Sequence, residues 1–137
     1  MPVSFDPDRL RLTNAAGTEG LLLGRHCQDC DAYIFGSTVF CPQCTSDHLE
    51  SIDFSRHGTL YSYTVVRVPP VGWPGPVPYV LGQVTLPEGP HVMAEIIACD
   101  AASLAIGMPV ELAIQLAVDE DSNTTHAVYK WRPCDAI

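Results

Sequence analysis

Four cysteines in two closely spaced pairs constrain the fold of this chain more than any other feature. Cys27 and Cys30 form one C-x2-C turn, and Cys41 and Cys44 form a second after a ten-residue spacer. Each turn offers two thiolates from one tight loop, and two such loops complete a tetrahedron around a metal ion. The pattern predicts a rubredoxin-like zinc ribbon, with a short hairpin over residues 33–40 that brings the second loop onto the first.

The cysteine pattern predicts a structural site rather than a catalytic one. Four thiolates fill the tetrahedron and leave no position for water or substrate. A redox C-x-x-C normally stands alone near a βαβ pattern, which does not surround these turns, and disulfides would suit an exported chain. Zinc is the favoured metal. Iron fits the same four sulfurs, because sulfur ligation alone does not distinguish the two metals.

The net charge of the chain disfavours nucleic acid as a partner. The formal charge is −9, with Lys130 as the single lysine and sixteen acids against seven scattered basic residues. Proteins that bind nucleic acid need a basic face to displace counterions from phosphates. The longest apolar run is far shorter than a membrane span, and residues 1–12 carry charges where an export signal would be apolar. We expect a cytoplasmic protein with reduced thiols and no membrane contact.

The 137 residues are enough for one domain or two small ones. We divide them into an N-terminal arm over residues 1–20, the ribbon over 21–54 and a β domain over 55–137. In the arm, an aspartate followed by a proline favours a short helix over residues 8–12. An arm this polar gains little by lying on its own domain. Docking to a partner and a loosely ordered terminus are both compatible with it.

From residue 55 the sequence is typical of a β protein. β-Branched and aromatic residues concentrate in several segments, and one helical turn capped by Asp100 separates the third segment from the fourth. This order of elements predicts the five-stranded Greek-key barrel called the OB-fold. The predicted strands are residues 58–68, 79–86, 92–98, 110–116 and 125–131.

One loop of the predicted barrel has an unusual composition. Residues 69–78 join the first two strands and contain five of the twelve prolines, with Trp73 at the tip. Proline stiffens a loop, and in OB-folds this loop flanks the binding face. Trp73, Arg67 at the loop entrance and Tyr79 at its exit are candidate contacts to a partner or to acyl-CoA. A tryptophan folded over the barrel end and a solvated arginine are the structural alternatives.

The sequence contains no catalytic constellation. Cys99 and Cys134 lack a supporting motif and are interpreted as buried spectator thiols. The five histidines have no paired ligand spacing, and His26 and His48 flank a site that four cysteines already fill. Glu95 falls at an outward strand position, where a solvated carboxylate is expected. Any reaction associated with this chain is therefore expected to use catalytic residues of another protein.

A ribbon followed by an OB-fold, in this order and length, resembles a family of small proteins that carries a domain-of-unknown-function label. In that family a zinc ribbon precedes an acyl-CoA-associated OB-fold. The resemblance covers residues 21–133 and rests on the two cysteine turns, on G-x-L-Y-S-Y-T-V-V from Gly58 and on G-M-x-V from Gly107. The family usually has glycine after each cysteine pair, where this chain has Asp31 and Thr45.

The resemblance implies an accessory role in acyl-CoA chemistry. Members of the family accompany thiolases or related condensing enzymes, and the larger partner carries the catalytic cysteine and histidines. This chain is most similar to the small subunits of two-component thiolases that cleave bulky β-oxoacyl-CoA compounds, including aromatic ones such as 2-benzoylsuccinyl-CoA in anaerobic toluene breakdown. The implied function is that of a required, non-catalytic subunit of a thiolase (acyl-CoA C-acyltransferase) complex, whose substrate is a coenzyme A thioester.

Two other functions are compatible with a ribbon and a barrel. A stand-alone acyl-CoA-binding module would bind coenzyme A thioesters as an isolated chain. A ribbon-barrel that binds single-stranded nucleic acid would do so with an affinity that falls steeply with salt, and the charge of this chain disfavours it. A thiolase-like reading frame next to this one would favour the accessory subunit.

Overall fold

The residues that the structure describes form two β-sheets that share one hydrophobic core. The computed structural model describes residues 2–72, 76–119 and 121–134. In chain order the strands are β1 (Val3–Ser4), β2 (Leu10–Leu12), β3 (Gly20–Cys27), β4 (Tyr33–Phe35), β5 (Leu49–Asp53), β6 (His57–Val66), β7 (Tyr79–Thr85), β8 (His91–Ile96), β9 (Pro109–Asp119) and β10 (Thr124–Pro133), with a 3-10 helix at Ala101–Ser103 between β8 and β9.

Strands β6 to β10 form a closed five-stranded barrel. β6, β7 and β8 pair antiparallel in succession, β8 pairs parallel with β10, and β9 lies antiparallel between β10 and β6. This order confirms the predicted OB-fold. The predicted helical turn is the 3-10 helix, in which the N–H of Ala102 donates to the Asp100 carboxylate at 3.2 Å. Within the described ranges, no helix has the length and apolar character that a membrane crossing requires.

The inward faces of the barrel strands follow the alternation of the sequence. Val84 on β7 and Val92 on β8 have no exposed surface, and Trp131 on β10 is equally buried. Gly82 lies between such positions on β7. A Cβ atom placed there would collide with the end of the Ile96 side chain, so the Ile96 side chain occupies the space that glycine leaves free.

The ribbon sheet is built around β3. β2 pairs with the first half of β3, and β4 and β5 pair antiparallel with its second half. The predicted hairpin over residues 33–40 is wrong, because only Tyr33–Phe35 is a strand and its partner is β3. β3 leads directly into the first cysteine turn, and this long strand offers β4 more backbone hydrogen-bonding positions than a local hairpin could. Residues 36–40 therefore continue as a loop to the second turn.

The N-terminal arm is part of the fold, and the helix expected over residues 8–12 is wrong. The N–H of Leu10 donates to the carbonyl of Asp6 at 2.8 Å, which closes one turn before the chain enters β2. Leu10 is 1% exposed, and β1 pairs parallel with β10 at His126 and Ala127. Burial of Leu10 outweighs the weak propensity of a five-residue helix. The expectation that the arm gains little by packing is also wrong.

Aromatic side chains join the ribbon to the barrel. The ring of Phe35 lies edge-on to the ring of Tyr129, with centroids 6.0 Å apart, and 6.3 Å from the ring of Phe54. The two sheets are therefore held together by side-chain packing as well as by the connecting chain. The buried cluster that they share includes Leu10, Leu22 and Phe54 on the ribbon side and Leu60, Val110 and Trp131 on the barrel side.

Replacing Leu10 tests whether the arm belongs to the core. We expect Leu10→Ala to lower the free energy of unfolding by about 2–5 kcal/mol, because it opens a cavity where the leucine is 1% exposed. Ile106→Ala removes the same number of carbons from a side chain that is 62% exposed, and it should cost about 0.5 kcal/mol or less. Denaturant unfolding measures both values. Equal effects would contradict the assignment of Leu10 to the core.

Candidate metal centre and contact loop

The two cysteine turns meet so that their four sulfur atoms surround one small space. The sulfurs of Cys27 and Cys44 are 3.6 Å apart, those of Cys30 and Cys41 are 3.5 Å apart, and all four lie within 4.8 Å of one another. In a tetrahedral site with zinc–sulfur bonds of about 2.3 Å, the sulfurs lie roughly 3.8 Å apart. The four cysteines therefore have an arrangement that could hold a metal ion.

Backbone N–H groups favour the thiolate form of the two buried cysteines. A hydrogen bond from the N–H of Cys30 contributes most to lowering the pKa of Cys27, to about 6. Burial opposes ionisation of Cys41, but hydrogen bonds from N–H groups of its own turn and from the Cys30 and Cys44 thiols together lower the pKa of this thiol as well. One of these N–H groups, that of Gln43, lies 3.4 Å from the Cys41 sulfur. Thiolates stabilised in this way are suitable ligands for a cation.

The residue after each cysteine turn has a left-handed backbone. Asp31 has φ 67° and Thr45 has φ 61°. In each turn this residue donates its N–H to the carbonyl of the first cysteine, from Asp31 to Cys27 at 2.9 Å and from Thr45 to Cys41 at 2.8 Å. Glycine adopts this conformation without steric cost, whereas aspartate and threonine do not. Both turns close in the same way although neither has glycine at this position.

Two histidines beside the sulfur cluster contact carboxylates. His26 lies between Asp31 and Glu50, with its Nδ1 2.6 Å from Glu50, and hydrogen bonds to these two acids raise its pKa. The Nδ1 of His48 lies 2.9 Å from the carboxylate of Asp29. Asp29 is in the first turn and His48 follows the second, so this contact ties the two turns together. Sequence reasoning missed it, because no local pattern connects two residues so far apart.

The outside of the barrel has a shielded ion pair that sequence reasoning also missed. The Nζ of Lys130 lies 2.7 Å from Glu95, and the two side chains are only 12% and 17% exposed. Glu95 is therefore largely withdrawn from solvent, contrary to its interpretation as a solvated carboxylate. The two residues meet because β8 and β10 are parallel neighbours, which strand alternation alone does not reveal.

The loop between β6 and β7 brings two of the three predicted contact residues to one end of the barrel. The last residue of β6 pairs with Tyr79, and the exposed Arg67 follows directly after β6. Trp73, the third predicted contact, lies outside the described residues. Val68 is 82% exposed and Val71 is fully exposed. The described part of this loop is thus an exposed apolar segment next to one arginine and one tyrosine.

A ribbon with four clustered cysteines packed on a closed OB-fold barrel defines the structural class of this protein. A family model described as the C-terminal OB-fold domain of ChsH2 matches residues 51–115. A DUF35 domain-containing scaffold protein of Methanocaldococcus jannaschii is 32% identical over 83% of this chain and 82% of its own length. The chain therefore belongs to the family of DUF35 domain-containing scaffold proteins.

Two further relatives carry the names of a thiolase subunit and an aldolase. The benzoylsuccinyl-CoA thiolase subunit BbsA of Thauera aromatica is 29% identical over 93% of this chain and 86% of its own length. A solved structure described as Ltp2-ChsH2(DUF35) aldolase is 27% identical, with a TM-score of 0.62 over 82% of this chain and 84% of that chain. These similarities confirm the family resemblance that the sequence motifs indicated.

Replacing Thr45 tests the strain in the second cysteine turn. A left-handed backbone costs a non-glycine residue about 1–2 kcal/mol, and the greater freedom of glycine in the unfolded chain offsets part of the gain. We expect Thr45→Gly to raise the free energy of unfolding by about 1 kcal/mol, and Thr45→Ala, which keeps the Cβ atom, to bring no gain. Denaturant unfolding of both variants measures this difference. If Thr45→Gly were no more stable than Thr45→Ala, the turn would not be strained by its side chain.

Proposed function

We propose that this chain is a non-catalytic accessory subunit of a heteromeric thiolase-type complex, an acyl-CoA C-acyltransferase, with the catalytic residues on a larger partner chain. The proposal rests mainly on the similarity to a named thiolase subunit, which extends over 93% of this chain and so includes both ribbon and barrel. By the same similarity we propose a bulky β-oxoacyl-CoA as the substrate of the complex, with aromatic compounds such as 2-benzoylsuccinyl-CoA among the candidates.

The state of the thiols supports a non-catalytic role. Four thiolates around one ion leave no open position for substrate, so the cysteine cluster suits a structural centre. Outside the cluster, burial raises the pKa of Cys99, and the nearby Asp100 and Glu95 raise it further. A thiol with a raised pKa remains protonated at neutral pH and is a poor nucleophile.

We further propose that Cys27, Cys30, Cys41 and Cys44 hold a structural Zn²⁺ ion, with iron as the alternative metal for the same sulfurs. When bound, the ion would offset the negative charge of the four thiolates and hold the two turns together. The N–H groups that favour the buried thiolates, and the sulfur separations, support this assignment. Thiolate ligation also requires reduced cysteines, which supports a cytoplasmic location.

The exposed loop between β6 and β7 is the proposed contact surface. Arg67 can pair with a phosphate or a carboxylate, and Tyr79 offers an aromatic face at the same end of the barrel. We place Trp73 in this surface by its position in the sequence. The exposed Val68 and Val71 lie in the same loop, and burial of their apolar surface against a partner would favour such a contact.

The same loop favours one alternative function, a stand-alone acyl-CoA-binding module. An exposed arginine beside an aromatic residue and apolar loop residues could bind a coenzyme A thioester without a second protein. The two functions differ in what the isolated chain does. The module binds acyl-CoA alone, whereas the accessory subunit contributes to acyl-CoA binding only within the complex. Nucleic acid remains a disfavoured partner, because the net charge is −9.

The metal assignment predicts the composition of the purified protein. We expect one zinc ion per chain by elemental analysis, and loss of that ion together with a large drop in the unfolding temperature in Cys44→Ser, because a structural zinc site contributes roughly 10 kcal/mol or more to folding. Cys99→Ser is the matched control and should keep full metal content. Bound iron, which colours a tetrathiolate site, or full metal retention in Cys44→Ser would contradict the assignment.

The accessory role predicts a defined complex. Native mass spectrometry of the chain purified gently from its own host should give an assembly with a thiolase-like protein, identified by peptide sequencing, and thiolase activity that requires both chains. A lone metal-loaded chain of 14.9 kDa that binds coenzyme A thioesters would instead support the stand-alone module. If the purified chain had no partner and bound no thioester, both functions would be contradicted.

Arg67 provides a sharper test within that complex. If its guanidinium contacts the thioester substrate, Arg67→Ala should raise the KM for acyl-CoA about tenfold and leave kcat nearly unchanged. A tenfold change corresponds to the loss of about one charge-assisted hydrogen bond. Arg11→Ala, which replaces an exposed arginine on the ribbon sheet, is the matched control. An unchanged KM in Arg67→Ala would exclude this contact and leave the rest of the proposed function intact.

A further inference from the structure

Strand β9 has a long unpaired edge. It pairs with β6 only from Pro109 to Glu111, and the N–H of Leu112 makes one more bond, to the carbonyl of Arg56 at 2.7 Å. On its other side, β9 pairs with β10 without interruption as far as Asp119. Among the described residues, no strand or loop makes backbone hydrogen bonds to the outer edge of residues 113–119. This edge is roughly 24 Å long.

The direction of the backbone groups on this edge follows from the Leu112 bond. In a strand, the N–H and C=O of alternate residues point to the same side. Since the N–H of Leu112 points away from β10 and β9 has no bulge against β10, the N–H and C=O groups of Ile114, Leu116 and Val118 point to the open side. Each of these three alternate residues therefore presents a donor and an acceptor that no described group satisfies.

Residues 113–118 of this edge lack the residue types that usually prevent strand addition. Native proteins protect exposed edges with lysine, proline, bulges or a covering segment. Residues 113–118 contain none of these residue types, and Leu116 and Val118 are 42% and 65% exposed. The edge is therefore a regular, partly apolar ladder of the kind that accepts another strand.

The two ends of this edge carry opposite charge. Asp119 and Asp121 lie at the far end, at the tip of the β9–β10 hairpin. At the near end Arg56 makes no ion pair with a described carboxylate, and Glu111 is already paired with Arg132 at 2.9 Å. An identical strand aligned antiparallel would bring each acidic tip to the Arg56 of the other copy. A parallel alignment would instead place like charges together.

We propose that two copies of this chain associate through the free edges of their β9 strands, antiparallel and with the two-fold axis at Leu116. In this register Leu116 pairs with Leu116 of the second copy, and Val118 pairs with Ile114, so that three residue pairs exchange both hydrogen bonds. Arg56 lies near Asp119 of the second copy in two symmetric contacts. The net charge of −9 on each copy opposes association, but beyond about 8 Å it is screened at physiological salt.

The dimer can be tested on the isolated chain and does not depend on the proposed function. Sedimentation velocity over a concentration series should show a monomer–dimer equilibrium for the native chain. Val118→Pro removes one outward N–H per copy without affecting the ladder to β10, and should weaken the dimer about tenfold or more. Val118→Thr keeps the N–H and should leave the affinity within about twofold. A chain that stays monomeric throughout, or an unaffected dimer in Val118→Pro, would overturn the proposal.

Charge reversal tests the antiparallel register. Arg56→Glu and Asp119→Arg should each weaken self-association, because each variant faces like charges in both symmetric contacts. An equimolar mixture should recover a heterodimer, since the glutamate introduced in one variant then faces the arginine introduced in the other, and the remaining native pair is Arg56 with Asp119. Thermal unfolding of each variant controls for a loss of fold. Failure of the mixture to recover, with both variants folded, would overturn this register.

Discussion

The packing of the ribbon onto the barrel is the interaction on which the rest of the structure depends. A ribbon of this size buries too little apolar surface to be stable by itself. Here Leu10 and Phe54 enter the buried cluster that contains Trp131, and Phe35 lies edge-on to Tyr129. The shared core holds β3 in place, and β3 carries the first cysteine turn. The position of the sulfur cluster is therefore set by the barrel as well as by the cysteines.

Local patterns in the sequence were sufficient to predict much of this arrangement. The spacing of the cysteines predicted two facing turns, and the composition of the β segments predicted five strands in OB-fold order. Both depend on contacts between near neighbours or on a periodicity that burial imposes directly. The arm and the ribbon hairpin were predicted wrongly for the opposite reason. The strand at Leu10 and the pairing of Tyr33–Phe35 with β3 depend on distant partners, which local propensity does not contain.

The same distinction applies to the functional residues. The cysteine cluster follows from sequence spacing, and the structure brings its sulfurs together. The contacts of His48 with Asp29 and of Lys130 with Glu95 depend on which strands and turns become neighbours, so no motif reveals them. The left-handed backbone at Asp31 and Thr45 is an intermediate case. Glycine at these positions would indicate the conformation, but the aspartate and threonine present do not, because a side chain normally disfavours it.

The loop that contains Arg67 and the free edge of β9 lie at opposite ends of the barrel. The loop that contains Arg67 follows the last residue of β6, whereas β9 pairs with the first residues of β6 and then extends beyond that start. An association through β9 would therefore leave the Arg67 loop of each copy directed away from the two-fold axis. A partner bound at each loop would not compete with the second copy. With the four clustered cysteines placed to hold a metal ion, a chain associated in this way would act by position and hold two partners at a fixed separation.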